Sequence, residues 1–169
     1  MECKRMTDTY IWQKVRQRFL DIDGKLKDNE GNDTDTDIIT KEYDSEGNVT
    51  AYTNVVEPNE VQARETLASK DGIWFEIFPL HFQPYQQELG TTGRNRWLFG
   101  LQININSPRD TGTYDIDSVY DAIAAQFKRG DIFDGIRVTQ TAYRSSARML
   151  DDYYSEPVTA MLQADLDNN

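Results

Sequence analysis

The sequence predicts an α+β fold, a mostly antiparallel sheet of about four to six strands packed against two helices. Three observations carry this reading. Ile11, Val15 and Phe19 recur every fourth residue near the start, which marks one face of a helix. Trp97, Phe99, Leu101, Ile103 and Ile105 alternate with other residues, which marks a strand with one face toward a core. An amphipathic helical stretch from Asp115 to Arg129 then separates that strand from two more alternating segments. With 169 residues, 38% of them hydrophobic, the chain suits a single domain over residues 1–169.

The first helix is expected from Thr7 to Leu20, capped by Thr7 or Asp8, with basic residues late in the segment. Residues 21–37 carry two glycines and little apolar content, and read as an exposed acidic loop. Ile38 to Tyr43 and Val49 to Val56 flank Gly47-Asn48, so a β-hairpin is expected over about 38–56, with Gly47 or Asn48 at positive φ. A polar connector with a helical turn at Val61–Leu67 follows. Ile73 to Leu80 reads as a strand buried on both faces, and residues 81–96 as a long polar connection. The strand at Trp97–Ile105 ends at Ser107-Pro108. Asp115 and Asp117 suit the start of the second helix, and Gly130 suits the position beyond its end. Strands at Gly135–Arg144 and Glu156–Leu166 complete the order. A helix between two strands predicts a right-handed crossover between parallel neighbours. It also sets the 81–96 and 145–155 loops at opposite ends of the sheet.

Charge is unevenly placed. Residues 21–60 hold 12 acids and 3 lysines, whereas the other residues hold 17 acids and 15 bases. The acidic balance argues against a protein that grips nucleic-acid phosphates. It leaves room for one that DNA passes through without specific binding. One Cys and one His supply neither a disulfide framework nor a soft-ligand metal set, so no metal and no cofactor are expected. No apolar run of membrane-spanning length is present, and MECKRMTDTY lacks a signal-peptide core, so the default compartment is the cytoplasm.

Several constellations invite chemistry and are outweighed by simpler readings. Asp33, Asp35, Asp37 and Asp44 have part of an EF-hand spacing, but Ile38 stands where the turn glycine belongs. His81 has no nucleophile motif beside it and reads as a structural or surface residue. Gly90 to Arg96 lacks a phosphate-loop ending and reads as a hairpin tip, with Arg94 and Arg96 giving the sheet a positive edge. Residues 145–155 mix bases, acids and tyrosines, as partner-binding surfaces do and as a loop packing its own tyrosines also does.

From Ala51 onward the chain resembles the phage tail terminator (tail-completion) family. The segments that carry the resemblance are Ala51 to Pro58, Trp74 to Ile77 with Pro79, and Gly93 to Ile103 with Gly100. Pro108, Gly112, the helix to Phe127, and Glu156-Pro157-Val158 complete the order. The resemblance covers about 70% of the chain by segment order, and residues 23–49 depart from it. It implies a structural virion protein, not an enzyme, with no catalytic residues. Such subunits assemble as a homo-oligomeric ring, expected to be a hexamer, on the finished end of a tail tube. The ring ends tube polymerisation and offers the head-tail connector its joining surface. The expected location is therefore the virion tail, at its head-proximal end, after assembly in the host cytoplasm. The partners implied are the chain itself, the tail tube protein and the connector protein, with no membrane.

A joining plate needs two unlike binding faces, which the two loops at opposite sheet ends could supply. Gln86, Glu88, Arg94 and Arg96 are the candidates for one, and Arg144, Arg148, Asp151, Tyr153 and Tyr154 for the other. The alternatives are another head-tail connector or stopper protein and, in a different class, an acidic DNA-mimic inhibitor built on residues 21–60.

Overall fold

The computed structural model describes residues 8–28, 30–58, 60–68, 72–82, 85–86, 94–109, 114–150 and 152–167. Helix α1 (Asp8–Leu20) buries the expected stripe, with Ile11, Val15 and Phe19 at most 4% exposed. Short strands β1 (Lys25–Lys27) and β2 (Asp33–Asp37) pair antiparallel, as do β3 (Lys41–Tyr43) and β4 (Val49–Tyr52). β5 (Val55–Val56) and helix α2 (Val61–Ala68) lead into β6 (Trp74–His81). β7 (Tyr85–Gln86), β8 (Arg94–Pro108), helix α3 (Tyr114–Gln126), β9 (Ile132–Phe133), β10 (Ile136–Arg144), β11 (Arg148–Met149) and β12 (Tyr153–Asp167) follow.

The main sheet runs β5-β6-β8-β12-β10-β9, with β7 added to β8 and β11 added to β12. Every pairing is antiparallel except β5 on β6. Four strands are long and four are two-residue pieces at their edges. The architecture is thus α+β with a mostly antiparallel curled sheet and three helices, α2 being a full helix at the expected turn. Helices α1 and α3 cover one face. Phe75, Ile77, Leu101, Ile103, Ile105, Val158, Ala160 and Leu162 point into that layer with Ile116, Val119, Ile123 and Phe127, all fully buried. Phe19 meets Phe75 edge-on at 5.6 Å.

Four expectations need correction. First, α3 does not join parallel neighbours: β8 and β10 run parallel, but β12 lies between them and pairs with both. The chain's last strand fills the gap because its core-facing side chains Val158 to Ala164 are buried there. Second, residues 21–37 are not only loop. Ile22 and Leu26 are buried, and Lys25–Asp37 (2.7 Å) and Lys27–Asp33 (2.9 Å) turn a row of acids into a cross-strand ladder. Third, the 38–56 hairpin is shorter than expected. Ile38 and Ile39 drop into the core before β3, and Val55–Val56 leaves β4 to pair with Phe75 and Glu76. Gly47 takes the positive φ, at 84°. Fourth, β7 and the start of β8 take up part of the connection expected over 81–96.

The two long loops do leave from opposite ends. Arg96 faces Asp165 at one end of the β8–β12 ribbon, and Pro108 faces Tyr153 at the other. Fifteen paired residues at about 3.3 Å each make this ribbon roughly 50 Å long.

Candidate interaction surfaces

At the first end the β7–β8 pair forms a hairpin arm in which Gln86 aligns with Asn95 and Tyr85 with Arg96. Glu88 lies outside the described residues. Arg94 opens β8 and stands in register with Asp167. Arg96 grips Asp165 with two parallel hydrogen bonds, Nε to Oδ1 at 2.8 Å and Nη2 to Oδ2 at 3.2 Å. The positive charge expected from Arg96 is therefore neutralised, because β12 returns Asp165 to the place where β8 supplies that arginine. His81 is exposed nearby, at the end of β6 and opposite Phe99.

At the second end, β10, β12 and the first turn of α3 bring four polar side chains together. Arg144 Nη1 lies 2.6 Å from Asp117, and its Nε lies 3.2 Å from Oε1 of the buried Glu156. Its guanidinium stands over the Tyr120 ring at 4.1 Å. Tyr154 donates its hydroxyl to Glu156 Oε2 at 3.2 Å. Burial, then the Glu156 charge, pushes the Tyr154 hydroxyl above the usual tyrosine range. Tyr153 packs edge-on against Trp74 at 5.2 Å. The two tyrosines thus follow the reading of a loop packed on its own sheet. Arg148 stays exposed on β11, beside exposed Met149 and Leu150, while Arg109 donates to the Leu150 carbonyl at 2.7 Å. Asp151 lies outside the described residues.

Among the described residues, no group of three His, Cys, Asp or Glu side chains is placed to hold a metal ion. Asp33, Asp35 and Asp37 lie along β2 and not in a coordinating loop. A cavity of about 460 Å³ opens between β2, α2 and the start of β6, lined by Thr34, Thr36, Asp37, Thr40, Asn54 and Asp115 among others. Burial raises the Asp115 carboxyl above the usual range. Asn54 is already engaged, accepting from Thr40 N at 2.9 Å and donating to Ile38 O at 2.8 Å. Asp37 is held by Lys25.

A surface that the sequence reading did not single out is the sheet face away from α1 and α3. Gln102 donates to Asn104 at 2.9 Å, and Asn104 donates to Glu76 at 3.2 Å, giving a polar row across β6 and β8. Phe78, Leu80, Leu98, Pro157 and Met161 lie half-buried beside it. Gly100 lets Leu80 lie close: a Cβ there would stand 3.3 Å from both Leu80 and the Ala160 carbonyl. Solvent-facing sheets usually alternate to charged residues, yet the centre of this face carries one charge, Glu76, itself 5% exposed. The signal was present in β8, whose alternate residues Leu98, Gly100, Gln102, Asn104 and Asn106 are all uncharged.

No family model and no curated protein matches the chain. A solved structure whose name conveys no activity is similar to it with a TM-score of 0.48 at 14% identity, over 68% of this chain and 79% of that one. Likeness at that level carries no argument about function.

Proposed function

We propose that this protein is a tail terminator: a subunit that closes into a ring on the end of a phage tail tube, stops tube growth and offers the head-joining surface. The observation that carries the reading is the weakly charged centre of the sheet face away from α1 and α3. That centre combines half-buried Phe78, Leu80, Leu98 and Met161 with neutral amides and a single charge, Glu76. That composition belongs to surfaces that an assembly covers, where charged residues are depleted and Met and aromatics enriched.

Two further features support it. The β8–β12 ribbon at the centre of the sheet runs about 50 Å along its strands, and its two ends differ in chemistry, as a joint between unlike partners requires. One end carries the Arg96–Asp165 ribbon tip, and the other the Arg144–Glu156–Tyr154 network with exposed Arg148 and Met149. The acidic segment is partly neutralised within the chain, since Asp23, Asp33, Asp37 and Glu57 each pair with a base. That weighs against a DNA mimic, which needs its carboxylates free to meet a basic groove. In this reading the copies contact one another, the tail tube protein and the connector protein. The number of copies is expected to be six.

The test is a tube-polymerisation assay. Added to growing tail-tube protein, the chain should shorten the tubes and leave a ring at one blunt end. Tubes of unchanged length with bare ends would refute the proposal.

A further inference from the structure

We propose that the β3–β4 hairpin is an arm that docks on the β9 edge of a second copy of this chain. The inference rests on the ring reading and names the contact that would close it.

The hairpin forms its own two-stranded sheet, separate from the main one. Isolated two-stranded hairpins are marginal in water, so one that projects is a natural element to be covered. Its exposed cross-strand pair is Tyr43 with Val49, 61% and 41% exposed. Glu42, Asp44 and Glu46 surround that pair, all exposed. Its lysine is committed elsewhere, to Asp23 at 3.4 Å. The arm therefore offers an apolar spot in an acidic setting.

The matching surface lies on the opposite lateral edge of the main sheet. Ile132 in β9 is 60% exposed and stands in register with exposed Arg137. Lys128 and Arg129 are exposed just before it. The acids on this edge are already used, since Asp131 holds Arg18 at 3.0 Å and Asp134 holds Lys14 at 3.3 Å. Lys128, Arg129 and Arg137 make no ion pair among the described residues. This edge is an apolar spot in a basic setting.

The arm directly precedes β5, the outermost strand on one side, and β9 is the outermost strand on the other. Five strand spacings of about 4.8 Å set these edges roughly 24 Å apart along the sheet. A contact between unlike patches on two lateral edges is heterologous, and repeated with rotation it closes a ring. The occupant is thus another copy of the same chain.

The test uses the full chain and sedimentation velocity. Reversing the arm charges (Glu42→Lys with Glu46→Lys) should weaken self-association at least about tenfold, as should Lys128→Glu with Arg129→Glu. Combining all four reversals should restore most of it, which a folding defect would not do. As a second measure, Tyr43→Cys with Ile132→Cys in a Cys3→Ser background should oxidise to a ladder of covalent multimers. Either cysteine alone should stop at dimers. Rings that neither charge reversal weakens, with no ladder, would overturn the arm contact and leave the ring reading standing. A chain that stays monomeric at its highest soluble concentration would overturn the arm contact, and if mixed tail tubes also kept two bare ends the ring reading would fall with it.

Discussion

Arg18 and Gln126 exchange hydrogen bonds between the last turns of two helices. Arg18 Nε donates to the Gln126 carbonyl at 2.8 Å, and Gln126 Nε2 donates to the Arg18 carbonyl at 2.9 Å. Each helix end leaves carbonyls without intrahelical donors, and here each side chain supplies the other helix's missing donor. Arg18 also reaches Asp131 at 3.0 Å and lies over Phe133 at 4.3 Å, so one side chain ties α1, α3 and the β9 edge together.

Replacing Arg18 with Ala should therefore destabilise the fold by about 2 kcal/mol, since it leaves a half-buried carbonyl and a carboxylate without their donor. Arg18→Lys should recover only part, because an ammonium cannot stack on Phe133 and fork to two acceptors. Urea unfolding of the three proteins measures this. Equal midpoints for Arg18→Ala and the parent would show that the clamp contributes nothing.

Arg144 neutralises Glu156, which is 7% exposed. Arg144→Met should cost about 2–3 kcal/mol, at or below the low end for a broken buried pair because Arg144 itself is a third exposed. Adding Glu156→Gln to that variant should return part of the loss. A double-mutant cycle with no coupling between the two would count against the network.

Gly100 supplies a close approach. Gly100→Ala should destabilise by about 1 kcal/mol, because the Ala160 carbonyl sits on a paired strand and cannot yield as the half-buried Leu80 can. Thermal unfolding reads the difference, and an unchanged midpoint would show that the ribbon absorbs the methyl group.

The hairpin turn of the arm should respond to acid. Asp44 accepts from the amides of Asn48 and Glu46, and these bonds hold its carboxyl below the ordinary value. A depressed acid stabilises above its unfolded value and loses that contribution as pH falls through the folded one. Carboxyl titration by NMR should find the Asp44 midpoint below that of an unstructured aspartate, with the Asn48 amide moving in step. A midpoint at or above the reference would contradict the turn.

Much of this architecture was readable in the residues, for identifiable reasons. The stripe of Ile11, Val15 and Phe19 and the alternation from Trp97 to Ile105 are periodic over enough residues to specify element and buried face together. Gly130 and Gly47 marked real positive-φ turns. Where strands are polar, periodicity is silent. β1 and β2 are held by Lys–Asp pairs across the strands, and the outer ends of β8 and β12 by Arg96 on Asp165. Such pairs bring together residues up to 69 positions apart, which no local pattern encodes. The site residues split the same way. Arg144 and Tyr154 were legible as types found at contacts, but their commitment to Glu156 depends on where β12 lies. The uncharged sheet face lay in the alternate positions of a strand whose buried side drew the eye.

Electron microscopy of the purified chain, alone and mixed with tail tubes, tests the central claim most directly. We expect rings with a central hole, built from whole multiples of the 19.5 kDa chain and seated on one tube end. Single particles without a hole in both preparations, beside tubes with two bare ends, would contradict it.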